Sequence, residues 1–257
     1  MRILAVLVVC LLALSRVEVL GSDQFFERSG IKLRYCDEGD GQAVVLLHGY
    51  AEDLEAGWRK SGVFDGLLKQ GYRVIAFDHR GHGKSSRPGA VKDYGLEMIH
   101  DVARLLEHLQ VKRAHLVGYS MGAAVADGFL KLYPQHLLSV TLAGYGEPPL
   151  PETVNPKLIS EIRNNLGRMS LLDGNDPEAL ARVSVGWREW MALTAPEEID
   201  VRGLVMSGRD DFFRSAAEAL AEKYPEFRLV LVDGDHGTAR SQPEFLENLL
   251  RHLRSRE

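Results

Sequence analysis

Apolar residues follow two rhythms along this chain. In one they form short, nearly unbroken runs: Val44–Leu47, Tyr72–Phe77, Ala114–Gly118, Leu138–Ala143, Gly203–Ser207 and Arg228–Val232. Such runs, bounded by glycine and polar residues, predict buried strands. In the other rhythm apolar residues recur at helical spacing. This predicts helices over Lys60–Gln70, Leu96–Leu109, Met121–Tyr133, Ser215–Tyr224 and Glu244–Leu253, with Gly71 and Pro134 as stop signals. Gln24–Arg28 and Ile31–Cys36 flank Ser29-Gly30 and read as a hairpin, followed by a loop over Asp37–Gly41. Strands apolar on both faces need cover on both faces. Their alternation with helices predicts an α/β fold, a mostly parallel sheet with helices on both faces and right-handed crossovers.

The rhythm breaks between Gly146 and Ile199, where no strand is evident. Helical spacing covers Pro156–Arg168 and Pro177–Thr194, after a proline-rich segment Glu147–Pro151. An insertion of this length in a compact domain usually has a task. The expectation is a short helical cap, about residues 146–199, over one edge of the sheet. Two ordinary packed helices that cover nothing are the plainer alternative.

At the N-terminus Arg2 precedes an apolar run, Ile3–Leu14, then Ser15, Arg16 and Glu18. The run has the length of a secretory signal core and is too short to span a bilayer. Residues 1–21 are read as a signal peptide with cleavage before Ser22, which predicts a secreted or periplasmic protein of residues 22–257 with no stable membrane span; an uncleaved anchor or a buried core segment are the other readings. Export removes Cys10 and leaves Cys36 alone, so no intramolecular disulfide is expected. The net charge of −5 becomes −6 once Arg2, Arg16 and Glu18 are lost. A nucleic-acid surface needs clustered basic residues and is not expected.

Chemistry enters at Gly118-Tyr119-Ser120-Met121-Gly122, a G-x-S-x-G pattern between an apolar strand and a helix rich in small residues. The glycines let a sharp strand-to-helix turn pack closely. The turn lifts the serine hydroxyl clear of the sheet and sets it at a helix N-terminus. A serine nucleophile needs a base, and the base needs an orienting acid. Asp211 and His236 each follow a predicted strand, on the same sheet rim as Ser120, so the candidate triad is Ser120, Asp211 and His236. Asp210 is the close rival for the acid. His79, His82, His100, His108 and His115 read better as structural. Oxyanion donors are expected from the backbone N–H groups of Tyr50 and Met121. No His-Glu-x-x-His cluster and no phosphate loop occur, so neither metal nor cofactor is expected.

Taken together, Leu47-His48-Gly49-Tyr50, Asp78–Ser85, Gly118–Gly122, Gly208–Asp211 and His236 resemble the α/β-hydrolase superfamily from about residue 24 onward. The resemblance implies a hydrolase with a lid inserted before the acid, and a turn at Asp78–Ser85 that packs near the site. Haloalkane dehalogenases and typical epoxide hydrolases of that superfamily use Asp where this chain has Ser120. The His-Gly-Gly-Gly loop of some lipases is absent. The resulting expectation is a serine esterase acting on a small-molecule ester of small or medium acyl chain. Lactone, amide or carbon–carbon cleavage, perhydrolase activity, or a binding module without turnover are the rival readings. Trp187, Trp190 and Phe212 are candidate substrate contacts, with Met191 and Phe213 beside them; packing on the core is the other reading of the cap residues. Oligomeric state is not legible.

Overall fold

Side-chain alternation decides how the sheet is covered. In β3 (Ala43–Leu47) Val45 and Leu47 join one apolar cluster while Val44 and Leu46 join another; in β4 (Arg73–Phe77) Ile75 and Phe77 divide from Val74 and Ala76 in the same way. Both strands are therefore buried on two faces, as a central parallel sheet requires. The computed structural model describes residues 23–146, 150–169, 171, 174–194 and 199–255. The apolar run at residues 3–14 and its cleavage site lie outside them, as do residues 147–149 of the proline-rich segment.

The remaining strands are β1 (Gln24–Arg28), β2 (Ile31–Glu38), β5 (Ala114–Tyr119), β6 (Leu137–Ala143), β7 (Arg202–Gly208) and β8 (Arg228–Val232). They form one eight-stranded sheet in the order β1-β2-β4-β3-β5-β6-β7-β8. The β1–β2 and β2–β4 pairs are antiparallel and the rest are parallel. Ser29 and Gly30 carry φ of 54° and 76°, the two left-handed positions of a tight hairpin turn, and Arg28 pairs with Ile31 across it.

Helices cover the two faces separately. α2 (Leu96–His108), α3 (Met121–Leu132) and α7 (Arg214–Lys223) supply the cluster on one side; α1 (Val63–Lys69) and α8 (Pro243–Arg254) supply the other. α2 buries Met98, Ile99, Val102, Leu105 and Leu106, one stripe at helical spacing. α3 is buried from Met121 to Leu130, which explains its small residues: it lies across the middle of the sheet. α1 begins three residues later than the periodicity suggests, because a π turn at Glu55–Arg59 and a left-handed Gly62 (φ 78°) precede it.

The inserted segment folds as α4 (Pro156–Arg168), α5 (Pro177–Gly186) and α6 (Arg188–Met191). The single helix expected over Pro177–Thr194 is broken at Trp187. Gly186 presses on the start of α2: a methyl group there would lie 2.8 Å from the Gly95 nitrogen. Beyond that contact Glu189 accepts the Leu96 N–H at 3.1 Å, filling one of the open donors of α2. α4 and α5 pack on each other through Ile162, Leu166, Leu180 and Ala181, and the same cluster includes Ala51 with Tyr50 against it. The pair therefore sits over the loop that follows β3. No helix among the described residues is long and apolar enough to cross a membrane.

Candidate active site

The nucleophile turn is built by exclusion. A methyl group on Gly118 would meet the Gly122 oxygen at 2.2 Å, and one on Gly122 would meet the Leu47 oxygen at 2.1 Å. Only glycine fits either position. Between them Ser120 adopts φ 55° and ψ −119°, a left-handed conformation that a side chain rarely takes. The Ser120 N–H donates to the Ala143 carbonyl at 2.8 Å, which ties the strained residue to β6.

Asp211 and His236 reach Ser120 from the ends of β7 and β8. His236 Nε2 is 3.0 Å from Ser120 Oγ, and His236 Nδ1 is 2.9 and 3.1 Å from the two Asp211 oxygens. A carboxylate accepts only, so Nδ1 carries the proton and Nε2 faces the serine hydroxyl with its lone pair. Asp211 is buried and accepts the Phe213 N–H at 2.8 Å; Asp210 is exposed and has no part in the contact. The Tyr119 hydroxyl donates to the His236 carbonyl at 2.7 Å and fixes the loop that carries the base.

The loop after β3 supplies the opposing wall. His48 Nε2 accepts the His79 N–H at 3.0 Å, so its Nδ1 holds the proton and donates to the Gly49 carbonyl at 2.8 Å. The Gly49 N–H donates to Glu52 Oε2 at 3.0 Å. Among the described residues the Tyr50 and Met121 N–H groups have no acceptor, which leaves both free to serve a ligand. The Tyr50 side chain is turned away into the inserted helices. Its hydroxyl donates to the Leu180 carbonyl at 3.0 Å and accepts from Ser184 Oγ at 3.0 Å.

His79 and His82 are fully buried behind this loop, and burial first, then the nearby His48 imidazole, holds both well below the ordinary histidine value. Asp78 is equally buried and accepts N–H groups of Leu54 and Lys84 at 2.9 and 2.8 Å. The Asp78–Ser85 turn is thus a scaffold beneath the site and touches no reacting atom.

The candidate substrate residues divide. Phe212 is 71% exposed, and its ring centroid lies 4.6 Å from that of His236. It lines a cleft of about 400 Å³ that runs along α7 as far as Lys223. Trp187 and Trp190 lie in the main apolar cluster, 6% and 2% exposed, with ring centroids 5.3 Å apart and planes tilted by 43°, and neither lines that cleft. Large apolar rings gain most from complete burial. Met191 is half-exposed at 39%.

Two residues of the site had no sequence signal. Arg240 donates to both oxygens of Glu52, at 2.8 and 3.0 Å, joining the histidine loop to the loop after β3. Among the described residues no group of His, Cys, Asp and Glu is arranged to hold a metal ion.

Comparison with known proteins agrees with this architecture. A family profile described as alpha/beta hydrolase fold matches residues 42–186, more than half of the chain. The chain is 30% identical over 139 residues to bifunctional epoxide hydrolase 2 of Sus scrofa, covering 54% of this chain and 24% of that protein. It is 38% identical over 117 residues to epoxide hydrolase B of Mycobacterium tuberculosis, covering 43% of this chain and 32% of that one. The chain spans less than half the length of the curated relatives it matches. Among solved structures it is similar to an enol-lactonase from Burkholderia xenovorans LB400, with TM-score 0.75 and 21% identity over 90% of this chain and 100% of that one. A bromoperoxidase from Bacillus anthracis gives TM-score 0.74 and 24% identity over 91% and 100%. At those identities the likeness is one of fold. With a mostly parallel eight-stranded sheet, a nucleophile turn between β5 and α3, and a family match over more than half of the chain, the chain belongs to the alpha/beta hydrolase fold family.

Proposed function

We propose that the protein is a serine hydrolase that cleaves carboxylic esters of small or medium acyl chain through an acyl-enzyme on Ser120. One observation carries the reading: Ser120 Oγ, His236 and Asp211 stand in unbroken hydrogen-bond contact beside two uncommitted N–H groups. His236 Nε2 takes the hydroxyl proton as Oγ attacks the ester carbonyl. Asp211 holds the imidazole and stabilises its charge. The oxyanion accepts from the Tyr50 and Met121 N–H groups, each worth on the order of 3 kcal/mol in the transition state. His236 then protonates the departing alkoxide, and a water activated by the same base releases the acid.

The relatives named as epoxide hydrolases raise a second chemistry. The serine at the nucleophile turn argues against it, since typical epoxide hydrolases of the family use a carboxylate there to form an alkyl-enzyme ester. Phe212, beside the imidazole, is the side chain we assign to the substrate. Export through a signal in residues 1–21 belongs to the same proposal; N-terminal sequencing of the exported protein should begin at Ser22, and an intact Met1 contradicts it.

A panel of p-nitrophenyl esters, lactones, amides and epoxides tests the substrate class. Acetate and butyrate esters should exceed the palmitate ester by about tenfold or more in kcat/KM. Equal rates across the acyl series contradict the chain-length part. Turnover of epoxides alone contradicts the whole.

A further inference from the structure

The mechanism leaves one buried ion pair unused. Arg240 is only 7% exposed and grips Glu52 through both oxygens. Its guanidinium carbon also lies 4.4 Å from the centre of the Tyr119 ring and 5.4 Å from that of Trp58. Burial pushes the Glu52 carboxyl up, but the hydrogen bonds and charge of Arg240 outweigh it and hold the group below the ordinary carboxylate value, so Glu52 is ionised at neutral pH.

The place of that charge is what matters. A methyl group built on Gly49 would lie 3.0 Å from Glu52 Oε2 and 3.4 Å from Ser120 Cβ. The carboxylate thus stands one residue's width from the nucleophile, next to where an oxyanion forms. Left bare, it would oppose the transition state in a poorly screened site. Paired, it does the reverse: Oε2 accepts the Gly49 N–H and holds the loop that presents the Tyr50 N–H. Arg240 ties together three segments that carry the reaction. Glu52 belongs to the loop after β3, Tyr119 precedes the nucleophile, and Arg240 itself lies in the 3-10 turn Ala239–Ser241 that follows His236.

We propose that Arg240 is a positioning residue for the oxyanion hole: through Glu52 it fixes Gly49, and it cancels a carboxylate that would otherwise repel the negative charge developing at the Tyr50 and Met121 N–H groups. This rests on the ester-hydrolase reading.

The test compares Arg240→Met, Arg240→Lys and the double variant Glu52→Gln/Arg240→Met, with thermal unfolding measured on each. Arg240→Met leaves the carboxylate bare, and kcat should fall about 100-fold with KM within about threefold. The double variant removes the charge, while the Gln oxygen still accepts from Gly49; kcat should recover about tenfold or more over Arg240→Met. A simple structural staple predicts no recovery, since both partners are then gone. Should Arg240→Met not fold, Arg240→Lys and the double variant decide the matter. Neither leaves a bare charge, and both should keep kcat within about tenfold of wild type; a 100-fold loss in either overturns the inference. An active wild type that reacts with a fluorophosphonate, paired with a double variant no faster than Arg240→Met, overturns the inference alone. A wild type that neither turns over esters nor reacts overturns the ester-hydrolase reading and the inference with it.

Discussion

Gly122 and Leu47 meet so closely that a methyl group on the glycine would lie 2.1 Å from the Leu47 carbonyl oxygen. Leu47 ends β3, and His48-Gly49-Tyr50 follow it directly. The contact therefore sets the distance between the nucleophile turn and the loop opposite. Gly122→Ala must push the two apart. It should lower stability by about 1–3 kcal/mol, as overpacking does. It should lower kcat by far more than stability alone explains, about 100-fold, because the oxyanion donors separate. Urea denaturation and ester turnover on the same preparation measure both; a variant with wild-type kcat contradicts the coupling.

The buried histidines predict how stability depends on pH. Burial, then the charge of Arg202, holds His115 down to about 4, and His252 is held to about 4 for the same reasons. Unfolded histidine titrates near 6.5. Between those values the unfolded chain binds more protons than the folded one, so stability rises with pH through the window. The contribution is complete above pH 6.5 and is lost on acidification toward pH 4, up to about 3 kcal/mol per group. His79 and His82 add to the loss in the same direction. The urea midpoint should fall steadily from pH 7 to pH 4.5. A flat profile would show that these imidazoles are not held neutral.

Trp190 and Phe212 should respond in opposite ways to truncation. Trp190 is 2% exposed in the core, so Trp190→Ala should cost about 3–5 kcal/mol. Phe212 is 71% exposed, so Phe212→Ala should cost no more than about 0.5 kcal/mol yet alter the relative rates on short and longer esters. Chemical denaturation and an ester series separate the two effects. A Phe212→Ala variant with unchanged selectivity removes Phe212 from the substrate site.

These contrasts mark what was legible in the chain and what was not. The strands were, because a run such as Val44–Leu47 is apolar on both faces and needs cover on both. Ser120, Asp211 and His236 were, because each lies just past an apolar strand and parallel strands end on one rim. The two readings of Trp187 and Trp190, pocket lining or core packing, could not be told apart in the sequence, because helical spacing shows that a face is apolar without showing which neighbour covers it. The break at Trp187 depends on Gly186 meeting Gly95, a contact between distant segments. The Glu52–Arg240 pair joins residues 188 positions apart, and neither lies in a recognisable pattern. Local chemistry was readable; partners chosen by packing were not.

The central claim is that Ser120 is an activated nucleophile. Intact-mass analysis after treatment with a fluorophosphonate tests it most directly. One adduct per chain should form on the folded wild type, map to Ser120, and be absent from an equally folded Ser120→Ala variant, with ester turnover lost in parallel. A folded wild type that remains unmodified, or a Ser120→Ala variant modified to the same extent, would contradict it.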